Sequence, residues 1–219
     1  PANGGRYVPR EEFLSVLRGE CAKHGALLIF DEVISGFRVA RGGAQELFGV
    51  KPDLTALGKI IGGGLPVGAF GGRAEIMDEL SPDGAVYQAG TLSGNPIALS
   101  AGLAQLREIE RINCWKLLEQ LGAHFEALAR DAINTAQIDI TFHRLGSMFC
   151  LFFAAGPIVD LVSAQRSDLK MCGRFFYGCL KRGVYLAPSQ FDSGLLTTAH
   201  KAGELTRTGT VMQEAVGAL

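Results

Sequence analysis

Lys59 closes a short apolar run just ahead of Gly62-Gly63-Gly64, and the acidic pair Asp31-Glu32 closes the apolar run before it. In an open α/β sheet, neighbouring strands deliver their C-terminal ends to one crevice, so an amine and a carboxylate placed there could act on the same ligand. That pairing suits an aldehyde cofactor. The lysine condenses with the aldehyde as a Schiff base, and the aspartate protonates a ring nitrogen. A lysine in a poorly solvated cleft has its ammonium form disfavoured, which leaves more free amine for attack on a carbonyl. Out of this context, Lys59 is more ordinarily a solvated surface residue and Asp31 a capping or salt-bridge residue.

Other chemistries fare worse. Gly58-Lys59 resembles the end of a phosphate-binding loop, but Ile60 stands where Ser or Thr is needed and the upstream glycine is missing. The glycines from Gly62 to Gly72 lack the strand, turn and helix order of a dinucleotide fingerprint. Thr91, between Gly90 and Leu92, reads from spacing as a turn residue; the functional alternative is phosphate binding by its hydroxyl and the neighbouring N–H groups. His24, His124, His143 and His200 are dispersed and support no Ser-His-Asp arrangement. Cys21 and His24 have ligand-like spacing but no second pair, so no metal is assigned.

These residues need elements to hold them. Residues 11 to 24 place Phe13, Leu14, Leu17 and Cys21 at helical spacing, with Gly25 as a stop. Ala26 to Phe30 reads as a strand covered on both faces, and Asp31 sits at its end. Ile34 to Val50 reads as a loop with one short helical turn, and Pro52 to Leu57 and Val67 to Gly72 as two more strands. Ala74 to Leu80 is a short helix, Tyr87 to Asn95 a polar loop, and Pro96 to about Glu110 a long helix with proline in its first turn. Helix, strands and glycine-rich strand ends describe the ligand edge of an α/β domain. The remainder reads as a smaller α+β domain, with helices near 115–132, 168–181 and from Glu204, and strands near 138–142, 147–153 and 184–187. The expected division is 1–107 and 108–219.

The 219 residues are 47% hydrophobic, enough for one sizeable core or two small ones, and the net charge of −1 leaves no footprint for nucleic acid or an anionic membrane. A small-molecule partner is expected. Five cysteines without a C-x-x-C predict reduced thiols and a cytosolic or organelle-stroma setting. No apolar run approaches a membrane span, and no basic, then apolar, leader opens the chain. The first residue is Pro1 rather than Met, which fits either processing or an excerpt from something longer.

Several stretches together resemble the class III, fold type I pyridoxal-phosphate aminotransferases. Leu27 to Val33 and Leu57 to Gly68 are similar to the whole class. Phe37-Arg38 with Gly42 to Gln45, Ala89 to Pro96, Arg174 to Phe176 and Gly183 to Phe191 are similar to its aminomutase branch. The similarity covers the latter half of the family pattern. It implies part of the large cofactor-binding domain followed by a small α+β domain. By this resemblance Lys59 is the Schiff-base lysine and general acid/base, and Asp31 keeps the pyridine nitrogen protonated. Gly90 and Thr91 reach the phosphate of a neighbouring subunit in a homodimer. Asn3 matches an asparagine near the ring hydroxyl, and Asp192 stands where the family usually has glutamate. The implied cofactors are pyridoxal 5'-phosphate and pyridoxamine 5'-phosphate, and the implied substrate is a small amino aldehyde. The expected reaction is intramolecular amino transfer converting glutamate-1-semialdehyde to 5-aminolevulinate for tetrapyrrole synthesis, in the cytoplasm or a plastid stroma. Two alternatives stand beside it: an aminotransferase with separate amino donor and acceptor, and a non-catalytic fragment or interaction module.

Overall fold

Leu14, Leu17 and Cys21 recur on one side of helix α1 (Glu11–Lys23) because their spacing follows the helical repeat. That side packs against Leu28, Phe30 and Val50. A computed structural model describes residues 3–136 and 138–219, and they fall into two compact units: Arg10–Trp115, and Lys116–Leu219 together with the residues up to Pro9.

In the Arg10–Trp115 unit, strand β1 (Ile29–Asp31) pairs in parallel with β2 (Leu54–Leu57), and β2 pairs antiparallel with β3 (Ala69–Gly72). The parallel step is made by the loop after β1 and helix α2 (Gly43–Phe48). A short helix α3 (Ala74–Met77) follows β3. Asn95 then caps helix α4 (Pro96–Arg111), its side chain accepting from the N–H groups of Ile97 and Ala98 at 3.1 Å each.

The strand through Phe30 is not covered on both faces. Phe30 is 8% exposed against α1, whereas Ile29 is 60% exposed and Phe70, on the same face through the pairing register, is 50% exposed. The apolar cluster around Phe30 draws on α1 and Val50, on one face of the sheet. An apolar run does not disclose whether the residues that cover it are present in the same 219.

Asp53 fixes the entry to β2. Its buried carboxylate accepts from the Leu28 N–H at 2.7 Å, from Arg73 at 2.9 Å and from Arg18 at 2.7 Å, so it ties α1, β1 and the end of β3 together. The backbone bond from Leu28 foremost, then the two guanidinium groups, holds its pKa well below the usual carboxylate range. A depressed folded-state pKa contributes stability that is present above the unfolded value of about 4 and is lost as pH falls below it. Asp53→Asn is therefore expected to lower the thermal midpoint at neutral pH. Thermal melts repeated between neutrality and strong acid should show a smaller pH dependence in the variant; an unchanged dependence would place the acid-sensitive group elsewhere.

The second unit closes around Phe125 of helix α5 (Cys114–Asn134), Phe142 of β4 (Thr141–Leu145) and Phe149 of β5 (Met148–Phe152), with the Phe125 and Phe149 ring centroids 4.5 Å apart. Phe175 of α7 (Leu169–Lys181) and Met212 of α8 (Ala202–Gly217) complete that core. Strands β4, β5 and β6 (Gly194–Leu195) form an antiparallel sheet. The strand expected at Val184 to Ala187 is not formed. Val184 and Leu186 pack against the core as chain without a ladder, the Val184 N–H closing back onto Cys179 after the Gly183 turn. Helix α6 (Leu161–Ala164) was not legible in the sequence; Asp160 and Ser163 close it with a reciprocal capping box.

All five cysteines are free, and burial pushes the Cys150 thiol up to about 11 and that of Cys179 up to about 12. Among the described residues no helix is long and apolar enough to cross a membrane, and no cluster of three or more His, Cys, Asp or Glu could hold a metal ion.

Candidate active site

Parallel pairing puts the C-terminal ends of β1 and β2 on one edge, with Asp31 opposite Ala56. Lys59 follows three residues after Ala56, at the start of a 3-10 turn (Lys59–Gly62). Its backbone is left-handed at φ 50°, a region that costs a side-chain-bearing residue energy and concentrates at functional sites. Gly58 before it is extended and buried, and a Cβ there would lie 3.1 Å from Val33 Cγ1. Val33 in turn donates its N–H to Asp31 Oδ1 at 3.0 Å. The two strand ends are thus in contact through Gly58 and Val33, while the side chains of Asp31 and Lys59 both remain exposed.

Helix α4 bears directly on the lysine turn. A methyl on Gly102 would sit 2.0 Å from the Ile61 carbonyl oxygen, and one on Gly63, at φ +57°, would sit 2.4 Å from the Ala101 carbonyl oxygen. Backbone therefore meets backbone across this seam, with no side chain to yield.

Glu32 faces away from Asp31, as alternation along a strand requires, and is 1% exposed. Its Oε2 accepts from Ser35 Oγ at 2.8 Å and from the Ala44 N–H at 2.7 Å. Its Oε1 accepts from the Gln45 N–H at 3.1 Å and from Gln45 Nε2 at 3.2 Å. Gln45 Nε2 also reaches Thr55 Oγ1 of β2 at 3.0 Å. In the loop between, Phe37 is left-handed at φ 56°, and its carbonyl accepts from Trp115 Nε1 at 3.0 Å. Burial lowers the pKa of Arg38 beside it.

Gly90 and Thr91 lie in the exposed loop that leads to the Asn95 cap of α4, in the same unit as Asp31 and Lys59. Asn3 belongs to the other unit. There the N–H groups of Gly4 and Gly5 donate to the Phe191 carbonyl at 3.1 and 2.8 Å, and Asn3, Gly4, Leu161, Gln165, Phe191 and Asp192 line a pocket of about 310 Å³.

Glu32, Phe37, Trp115 and the Gly102 seam were not assigned roles from the sequence. An acid beside another acid reads as surface charge, and only the donors at Ala44 and Gln45 reveal it as buried. The tryptophan acts at a carbonyl 78 positions away in the chain.

Residues 1–189 match the family model for class III aminotransferases. The chain belongs to that family. Its fold is the fold type I of the pyridoxal-phosphate transferases, α/β in the Lys59 unit with an α+β unit beyond. It is 56% identical over 208 residues to a glutamate-1-semialdehyde 2,1-aminomutase of Akkermansia muciniphila, covering 95% of this chain and 49% of that protein. Among solved structures it is similar to an omega-transaminase from Sphaerobacter thermophilus, with a TM-score of 0.91 and 33% identity over 98% of this chain and 49% of that one. It is also similar to a transaminase with PLP bound, at a TM-score of 0.84 and 28% identity over 96% of this chain and 48% of that one. The chain spans about half the length of these class III relatives.

The residues present fit a pyridine aldehyde cofactor. Lys59 supplies an accessible amine on a strained turn, and on the adjoining strand end Asp31 supplies an accessible carboxylate whose Oδ1 accepts from the Val33 N–H two residues on.

Proposed function

We propose that this chain is the part of a pyridoxal-phosphate-dependent aminomutase that carries the lysine and the ring-nitrogen carboxylate, and that the whole protein converts glutamate-1-semialdehyde to 5-aminolevulinate by intramolecular amino transfer for tetrapyrrole synthesis. The observation that carries the reading is the placing of Asp31 and Lys59 on adjoining parallel strand ends, in a chain more than half identical to an aminomutase. When bound, the cofactor would supply an amino group, take one back, and provide a ring that accepts carbanion charge. Lys59 Nζ is the base and acid that moves the proton between carbon atoms, in both halves of the reaction. The Asp31 carboxylate holds a proton at the pyridine nitrogen. By the family resemblance, Asn3 would serve the ring hydroxyl, and Gly90 and Thr91 would reach the phosphate of a neighbouring subunit in a homodimer. Residues 1–107 are the C-terminal portion of the large domain and 108–219 the small domain. The protein works in the cytoplasm, or in a plastid stroma in a plant or alga, on a small amino aldehyde.

The likeness to an omega-transaminase favours a second reading, amino transfer between separate donor and acceptor. The intact parent enzyme separates the two. Loaded with pyridoxamine phosphate and given glutamate-1-semialdehyde alone, it is expected to form 5-aminolevulinate through many turnovers. Turnover that requires an added amino donor would select the second reading. The 219 residues alone are expected to bind pyridoxal phosphate weakly and not to turn over, because the remaining phosphate and ring contacts would come from the other half. Each charge-assisted phosphate bond forgone costs roughly 1.5–3 kcal/mol. Tight stoichiometric binding in an absorbance titration would overturn that expectation.

A further inference from the structure

We propose that Glu32 is a positioning residue for Asp31: its buried carboxylate locks the turn whose Val33 N–H orients the Asp31 carboxylate. The inference rests on the reading of Asp31 as the ring-nitrogen partner. Glu32 extends the β1–β2 pairing by donating its own N–H to the Ala56 carbonyl at 2.9 Å, and its carbonyl accepts from the Gly36 N–H at 2.8 Å. Its side chain ties the same turn to Ser35, to the first turn of α2, and through Gln45 to Thr55 of β2. Val33 is held between these anchors, and Gly58, next to Lys59, packs on its side chain. The Asp31 carboxylate therefore takes its direction from a backbone N–H that Glu32 immobilises from both sides.

The carboxylate is chemically specific here. Each oxygen faces a main-chain N–H, Oε2 that of Ala44 and Oε1 that of Gln45. A glutamine of the same shape must turn its NH2 toward one of them, leaving two donors facing each other and one N–H unsatisfied. The space around it is closed as well, since a Cβ on Gly43 would fall 2.3 Å from Glu32 Oε2.

Glu32→Gln, Ser35→Ala and Asp31→Asn, each made in the intact enzyme, test the proposal. In the cofactor-free protein, Glu32→Gln should speed amide exchange across residues 33–45. At full cofactor occupancy it should shift the pH dependence of the cofactor's absorbance in the same direction as Asp31→Asn. It should also lower kcat by about tenfold with little change in KM, the scale expected for a misdirected catalytic group. Ser35→Ala removes one donor of four and should move each readout the same way by less; it carries the test should Glu32→Gln fail to fold. Faster exchange with a wild-type absorbance profile and kcat would make Glu32 structural only and overturn the proposal. A profile unmoved by Asp31→Asn would overturn the reading of Asp31 and the proposal with it.

Discussion

Lys59→Ala in the intact enzyme is expected to remove turnover, with a loss of at least about 10³-fold in kcat, because in the proposed mechanism one side chain both anchors the cofactor and moves its protons. No other amine of the Lys59 unit has its position. Lys23 lies in the last turn of α1, 3.6 Å from Glu20, and Lys51 precedes β2 at the end opposite the Asp31 edge. Alanine at 59 should also relieve nothing essential to the fold, since the side chain is exposed and the turn is held by the α4 seam. The variant should therefore melt near the wild-type temperature while being inactive. Borohydride reduction of the wild-type holoenzyme, followed by peptide mass spectrometry, should find the phosphopyridoxyl group on Lys59. A label on Lys23 or Lys51 would sink the assignment.

Asp31→Asn should leave the fold intact and lower kcat by about 10²–10³-fold, the scale of removing one preorganised electrostatic partner from a reacting centre. An asparagine oxygen can still accept the Val33 N–H that Asp31 Oδ1 now accepts, so the turn keeps its closure. What it lacks is the negative charge that, in the proposed mechanism, keeps a proton on the pyridine nitrogen. The loss should appear in kcat with cofactor still bound, and absorbance titration of the variant would check both. A near-normal rate at full occupancy would remove Asp31 from the mechanism.

The nearness of Asp31 to the turn that bears Lys59 was legible because each residue ends an apolar run, and neighbouring strands of a parallel pair end on one edge. Helices α1, α4, α7 and α8 were legible for the same kind of reason, a periodic apolar face with a stop or cap beside it. What failed were features that depend on remote partners. Val184 to Ala187 has the composition of a strand, but composition cannot say whether a neighbour offers a ladder. Ala26 to Phe30 looks doubly covered because an apolar side chain is written the same way whether its cover lies inside or outside these residues. Glu32 was visible as a charge and not as a node, since two of its partners are main-chain N–H groups, which every residue but proline carries, and the side chains of Ser35 and Gln45 do not announce their partner.

The contact between α4 and the lysine turn sets a rule for how this protein can vary. Gly102 and Gly63 touch the facing backbone from opposite sides of one seam. The first methyl group introduced at either position must part the two segments, and the second then enters a gap already open. Changes at these two sites should not add, as is usual for residues that share a strain. A drifting sequence would meet the cost of parting the seam at its first step. Gly63 carries the further constraint of its left-handed backbone, whereas Gly102 is held by the seam alone, with no tolerable intermediate between zero and two substitutions.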